Sequence, residues 1–280
     1  MQRERGKNNA HTLFGIEHIP TDAQIRSLLT PIAPKRSFEV FLTAVRLLDE
    51  RGTLKERFFS RPMNSYVMAL DGTWFHKSEE IFSAKCLHQN HRDGRHVYFH
   101  SAITPIFVRP DSNHVITVEP QFIEAQDGQE KQDCERSAAK KWISGPGRGY
   151  APMGITLLGD DLYCNDACCR EVLEAAFHFL FTCRASSHPH LSTWIEDAEV
   201  GSDIIEAADK QWAGKRRLTY RYRFMNAVPL RNEPKALQVK SCEPAILEED
   251  GMVHHRFGFA GDHRLTRDNI VEVVEAGCSR

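Results

Sequence analysis

Three observations in the sequence predict an α/β fold with a mixed sheet. Two short apolar runs, 66–70 and 155–158, are each bounded by turn residues, as expected of strands buried on both faces of a sheet. Helix-period patterns alternate with strand-period ones around them. Both runs also end in acids: Asp71 follows the first, and Gly159, Asp160 and Asp161 follow or close the second. A sheet of this kind offers its functional surface beyond the strand ends.

The first stretch is helical. Ile25, Leu28 and Leu29, then Phe38, Phe41, Leu42, Val45 and Leu48, recur at three-to-four spacing over 21–52. Two or three short helices are predicted there, with Thr21 or Asp22 as N-cap, Pro34 as separator and Arg51-Gly52 as the stop. From Ser65 the pattern becomes strand-like, and strands over 66–70, 96–108 and 114–118 form a β-meander with a turn at 109–113. A helix over 132–143 ends at the glycine-rich segment 144–149 and leads to the strand 155–158. A helix over 166–177 then precedes a strand over 179–183.

Three meandering strands, a helix, a strand, a helix and a fifth strand is the order of the ribonuclease H-like fold. Its first and fourth strands are neighbours, which would bring Asp71 toward Asp160. Residues 209–253 read as polar strands, and 266–275 as a helix with Thr266 or Asp268 as N-cap and Ile270, Val273 and Val274 as its apolar stripe. The expected organisation is an N-terminal helical segment (1–62), a ribonuclease H-like core of mixed sheet and flanking helices (63–200), a β-rich insertion (201–265) and a final helix (266–280).

Composition narrows the function classes. At 280 residues with 41% hydrophobic content, the chain can bury a substantial core. Its longest apolar stretch, 175–183, is interrupted by His178 and falls short of the roughly 20 residues of a membrane helix. No apolar run follows the charged start, so a soluble, cytoplasmic protein is expected. The eight cysteines, including the adjacent Cys168 and Cys169, match no regular disulfide framework and read as reduced thiols. A net charge of -2 argues against a wholly basic nucleic-acid coat protein.

The candidate chemistry lies with Asp71 and Asp160. Each acid alone reads as a strand-terminating turn residue. Together on rigid strand ends they suit Mg²⁺ or Mn²⁺, hard cations that accept one or two protein carboxylates and keep several waters. Paired ions about 4 Å apart would activate an attacking oxygen and stabilise a leaving one at a phosphodiester. A third acid would come from a helix after the fifth strand. Asp268, Glu272 and Glu275 are available there, although a solvated helix face explains them better.

A second signal is basic. In 217–224, Leu218, Tyr220, Tyr222 and Phe224 alternate with Arg217, Thr219, Arg221 and Arg223. With Lys210, Lys215 and Arg216 the stretch carries no acid from Lys210 to Arg223, beside Trp212, Tyr220 and Tyr222. An edge strand protected by charge and a phosphate-contacting strand are both consistent with this pattern. On the second reading Lys215, Arg216, Arg217, Arg221 and Arg223 contact the DNA backbone without reading sequence. Cys86, His88, His91, His96 and His100 lack the paired thiolates or spacing of a zinc site and read as a loop leading into a strand. Cys164, Cys168, Cys169 and Cys183 read as small buried residues.

Five stretches together resemble the DDE transposases of bacterial insertion sequences, in particular the cut-and-paste group with a β-rich insertion. They are Asn8-Asn-Ala-His-Thr-Leu-Phe-Gly15, Ile19-Pro-Thr-Asp-Ala-Gln-Ile-Arg26, Leu70-Asp-Gly-Thr73, Gln126-Asp-Gly-Gln-Glu-Lys-Gln-Asp-Cys-Glu135 and Leu158-Gly-Asp-Asp-Leu-Tyr163. The resemblance implies Asp71 as first catalytic acid, Asp160 as second with Asp161 as the alternative, a Mg²⁺ or Mn²⁺ cofactor, and double-stranded DNA, both transposon ends and target, as partner. It implies cleavage by water and attack by the freed 3′-OH, with a homodimer as a further partner. Asp127, Lys131, Asp133 and Glu135 fall in a group motif with no role carried over, and read as a polar loop and helix start.

The group's third acid is a glutamate expected beyond Arg280, and its members carry a longer region before Asn8. A chain truncated at both ends, impaired in catalysis and nucleoid-associated, is therefore expected. A noncatalytic DNA-binding or subunit-pairing inhibitor of an intact transposase is the alternative. A stand-alone nuclease using Glu272 or Glu275 would be a third. Ser83 stands where the group often has the first cysteine of a pair near Cys86.

Overall fold

The computed structural model of the chain describes residues 11–12, 15, 17–82, 86–110, 112–123, 131–201, 204–213, 216–248, 253–255 and 258–279. For 131–134, 198–201, 213, 216–217 and 253–255 it describes the backbone alone. The chain divides into two compact units, 1–43 and 44–280.

In the first unit, α1 (Asp22–Leu29) is opened by Thr21, whose side chain accepts from the Gln24 N–H while Gln24 reaches back to the Thr21 N–H. This capping box satisfies two donors that a helix start leaves without partners. Leu28 and Leu29 are exposed despite the amphipathic spacing. Pro34 opens a 3₁₀ turn (Pro34–Ser37), and α2 (Phe38–Glu50) follows and continues into the second unit.

The second unit is mixed α/β. Gly52, at φ 75°, makes the left-handed turn between α2 and α3 (Thr53–Phe58), the conformation its missing Cβ permits. The strands are β1 (Phe59–Ser60), β2 (Ser65–Ala69), β3 (Gly72–Ser78), β4 (Leu87–Asn90), β5 (His96–Ile103), β6 (Ile106–Phe107), β7 (Ile116–Thr117) and β8 (Gln121–Ile123). Then come α4 (Lys131–Ser144), β9 (Ile155–Gly159), α5 (Asp166–Glu174), β10 (His178–Cys183) and α6 (Pro189–Gly201). β11 (Ile205–Ala213), β12 (Arg216–Pro229), β13 (Gln238–Leu247), β14 (Val253–His255), β15 (Gly258–Gly261) and α7 (Ile270–Gly277) complete the chain.

One large sheet runs β11-β12-β13-β15-β10-β9-β2-β6-β7. β2, β9 and β10 are parallel, and β6 and β15 flank them antiparallel. The first and fourth strands of the expected order, β2 and β9, are neighbours. The later strands join the same sheet through β15, which pairs with β10, so the strands expected as an insertion extend the core sheet.

The strand expected over 96–108 is interrupted at Thr104-Pro105, where proline supplies no N–H. The same register holds on both sides, with Ala69 opposite Ile106 and Gly72 opposite Ile103, and the Thr104 N–H donates to Asp71 O. β2–β3 and β5–β6 are thus one antiparallel ladder bent at Asp71. Beyond the bend, β3, β5, β4 and β8 form a second sheet. The segment after Cys86, expected as a loop, pairs as β4 against β5.

Val67, Ala69, Leu158 and Leu180 face Tyr222, Phe224, Cys242 and Phe259 along one sheet surface, and Ile270, Val273 and Val274 of α7 cover it. A single core therefore joins the parallel strands to the antiparallel extension. Among the described residues no helix is long and apolar enough to cross a membrane.

Candidate functional site

The site begins with register. Tyr66 pairs with Ile155 and Ala69 with Leu158, and the Leu70 N–H still bonds to Leu158 O. Asp71 and Asp160 each lie two residues beyond the Ala69–Leu158 pair, so the two acids hold equivalent positions at the same end of adjacent parallel strands. Neighbouring strands run about 4.8 Å apart. Both acids are exposed. Asp71 Oδ1 accepts from the Gly72 N–H at 2.8 Å and Asp160 Oδ1 from the Leu162 N–H at 2.9 Å.

Asp161 has a different environment. Its Oδ1 accepts from the Arg184 N–H at 2.7 Å and stands 3.3 Å from His188 Nε2. Asp160 is exposed at the strand end, while Asp161 is tied to the next loop.

Glu135 is the residue that sequence reasoning left without a role. It projects from the second turn of α4 to the bend at Asp71, where a Cβ on Gly72 would lie 2.9 Å from Glu135 Cδ. The carboxylate end of Glu135 thus rests directly on the Gly72 backbone. The Tyr163 hydroxyl, on the turn that follows Asp160, donates to Glu135 Oε1 at 3.2 Å. Burial, with the nearby Glu135 and Asp160 carboxylates, pushes the Tyr163 hydroxyl well above the ordinary phenol range, so it remains a donor. Glu135 thereby touches both acid-bearing strand ends. Its membership of the 126–135 motif was the available signal, although Asp127 lies outside the described residues and the side chains of Lys131 and Asp133 do too.

The turn after Asp160 is built by local sequence. The Tyr163 and Cys164 N–H groups bond to Asp160 O and Asp161 O, and Asn165 caps α5 by accepting from the Cys168 N–H at 3.0 Å. Gly159 ends β9 where a Cβ would meet Tyr163 at 2.8 Å and Phe181 at 2.9 Å.

The other expected residues lie apart. Glu272 and Glu275 line a cavity with Phe58, Val67, Val108 and Arg109, whose walls include neither Asp71 nor Asp160. Arg221 and Arg223 are half-buried on β12, against which α6 packs. Arg223 pairs across strands with Glu206 and Glu243, whereas Arg221 is opposite Ala208 and Ala245. The basic face is therefore partly neutralised by its neighbours. Lys210 and Trp212 are exposed on β11. Lys215 and the side chains of Arg216 and Arg217 lie outside the described residues. Cys86 Sγ meets His100 Nε2 at 3.4 Å, but among the described residues no third metal-ligating group joins them.

These features define a mixed α/β protein with two carboxylates in register at the open end of its parallel strands. No protein-family model matches the chain, and no curated protein matches it.

Proposed function

We propose that this chain belongs to the DDE transposase class of DNA-transferring proteins, on a ribonuclease H-like core. The observation that carries the reading is the equivalent placement of Asp71 and Asp160 beyond the Ala69–Leu158 pair. The strand order β7-β6-β2-β9-β10, a meander followed by two parallel strands, supports the core assignment.

The donor set fits a hard divalent cation, because exposed carboxylate oxygens on rigid strand ends suit Mg²⁺ or Mn²⁺. Asp71 and Asp160 would hold it, and when bound it would supply charge stabilisation at a scissile phosphodiester. Glu135 and Tyr163 fix the spacing of the two strand ends. One face of the β11–β12 hairpin, with Lys210 and Trp212 exposed near its end and Arg221 half-buried further along, serves as the contact to the phosphate backbone of double-stranded DNA, where basic and aromatic groups position without reading sequence. The same reading assigns the protein to the bacterial cytoplasm, beside the nucleoid.

The test is incubation of the purified chain with duplex DNA and Mn²⁺. Salt-dependent binding is expected, and any nicking or strand transfer should disappear in Asp71→Asn. Absence of DNA binding at low salt, together with absence of Mn²⁺ binding, would overturn the proposal.

A further inference from the structure

A second constellation lies one residue beyond Asp160. Cys164 sits in the turn after β9, Cys183 ends β10 and His188 precedes α6. Their two sulfurs and one ring nitrogen lie within 4.8 Å of one another. β9 and β10 are adjacent and parallel, with Gly159 opposite Phe181, so the loops leaving them meet on the same side. Sequence spacing gave no hint, because the ligands come from three separate segments.

The donors are soft and buried. Cys164 is fully buried and Cys183 nearly so. His188 Nε2 is buried without an aligned hydrogen bond, although Asp161 Oδ1 stands 3.3 Å away. A buried ring nitrogen in that position costs free energy unless something bridges it to its neighbours. A tetrahedral zinc ion, with bonds of about 2.3 Å to sulfur and about 2.0 Å to nitrogen and oxygen, sets ligand separations of about 3.3–3.8 Å. The His188–Asp161 distance already lies in that interval, the sulfurs and the ring nitrogen lie within 4.8 Å of one another and close by up to about 1 Å, and the Asp161 carboxylate turns toward them to complete the set.

We propose that Cys164, Cys183, His188 and Asp161 form a site for one zinc ion. Binding displaces the two thiol protons, leaving thiolates, and His188 coordinates as the neutral ring. Two sulfurs and an imidazole select zinc over Mg²⁺, the reverse of the oxygen-only preference at Asp71 and Asp160. The ion fastens the turn after β9 to the loop after β10, so it serves the architecture of the turn that carries Asp160 rather than the reaction there. The inference rests on ligand geometry alone and stands or falls independently of the DNA reading.

The test uses the full chain, purified under reducing conditions without chelator. Elemental analysis is expected to find about one zinc per chain. The chelator-stripped protein titrated with Co²⁺ should develop a thiolate-to-cobalt charge-transfer band and the visible bands of a tetrahedral ion, displaced by Zn²⁺ and unaffected by excess Mg²⁺. Cys164→Ser and Cys183→Ser should each abolish the charge-transfer intensity or reduce it by about half, while Cys86→Ser keeps it. If a serine variant cannot be purified, the wild-type cobalt spectrum still decides. Absence of a charge-transfer band in the wild type, a band of undiminished intensity in both serine variants, or a Cys164–Cys183 disulfide in freshly prepared metal-free protein would overturn the proposal.

Discussion

Asp71 and Asp160 stand at equivalent positions on adjacent parallel strands, each two residues past the pair Ala69 and Leu158. The glycines beside them differ in what surrounds them. A Cβ at Gly159 meets ring atoms of Tyr163 and Phe181, which are packed in the core, whereas one at Gly72 meets only the end of the Glu135 side chain. Gly159→Ala is expected to cost about 1–3 kcal/mol by overpacking. Gly72→Ala should cost well under that, because Glu135 can swing aside. Urea midpoints compare the two, and equal losses would contradict the packing described here.

Helix α7 holds the parallel strands to the antiparallel extension through Ile270, Val273 and Val274. Ile270 is fully buried. Ile270→Ala is expected to destabilise by about 2–5 kcal/mol and to lower the single unfolding transition of the second unit as a whole. Loss of structure confined to residues 205–261, detected by hydrogen exchange, would show instead that the extension folds separately.

Much of this architecture was legible in the sequence. The runs at 66–70 and 155–158, the helices over 132–143 and 166–177, and the strand near 179–183 each emerge within a few residues of expectation, because buried parallel strands and amphipathic helices leave strong periodic signals. The strand β3 was missed because it begins at the acid that reads as a strand terminator, and β4 because its polar residues carry no alternation. α6 was not anticipated either. The positions of Asp71 and Asp160 were anticipated from their place after the apolar runs. Glu135 was not, since its role follows from the space left by Gly72, a contact between residues far apart in sequence. Arg223 was counted as part of a basic face, and only cross-strand register reveals Glu206 and Glu243 beside it.

That register makes the two arginines separable in solution. Arg221→Ala should weaken nonspecific DNA binding and reduce the salt slope by about one. Arg223→Ala should change it less, because its charge is already offset by Glu206 and Glu243. Titrations of a duplex at several salt concentrations provide the comparison, and identical slopes would remove the distinction.

Glu119 supplies a pH-dependent term. It is buried and accepts from the Tyr150 hydroxyl at 2.5 Å, and burial raises its carboxyl above the ordinary 4.5 despite that bond. The native state therefore holds this proton to higher pH than the unfolded chain. Stability from this group is present below the ordinary value and is lost as pH rises through the folded one. Glu119→Gln should lack that loss, so in urea unfolding the variant gains on the wild type as pH rises from the ordinary carboxyl value through the raised one. A gap that stays constant with pH would contradict the assignment.

The most direct test is Mn²⁺ binding followed by electron paramagnetic resonance, with zinc present to fill any thiolate site. The wild-type chain is expected to deplete free Mn²⁺, and the double variant Asp71→Asn/Asp160→Asn is not. Equal Mn²⁺ binding by the two proteins would contradict the claim that these strand-end carboxylates form a metal site.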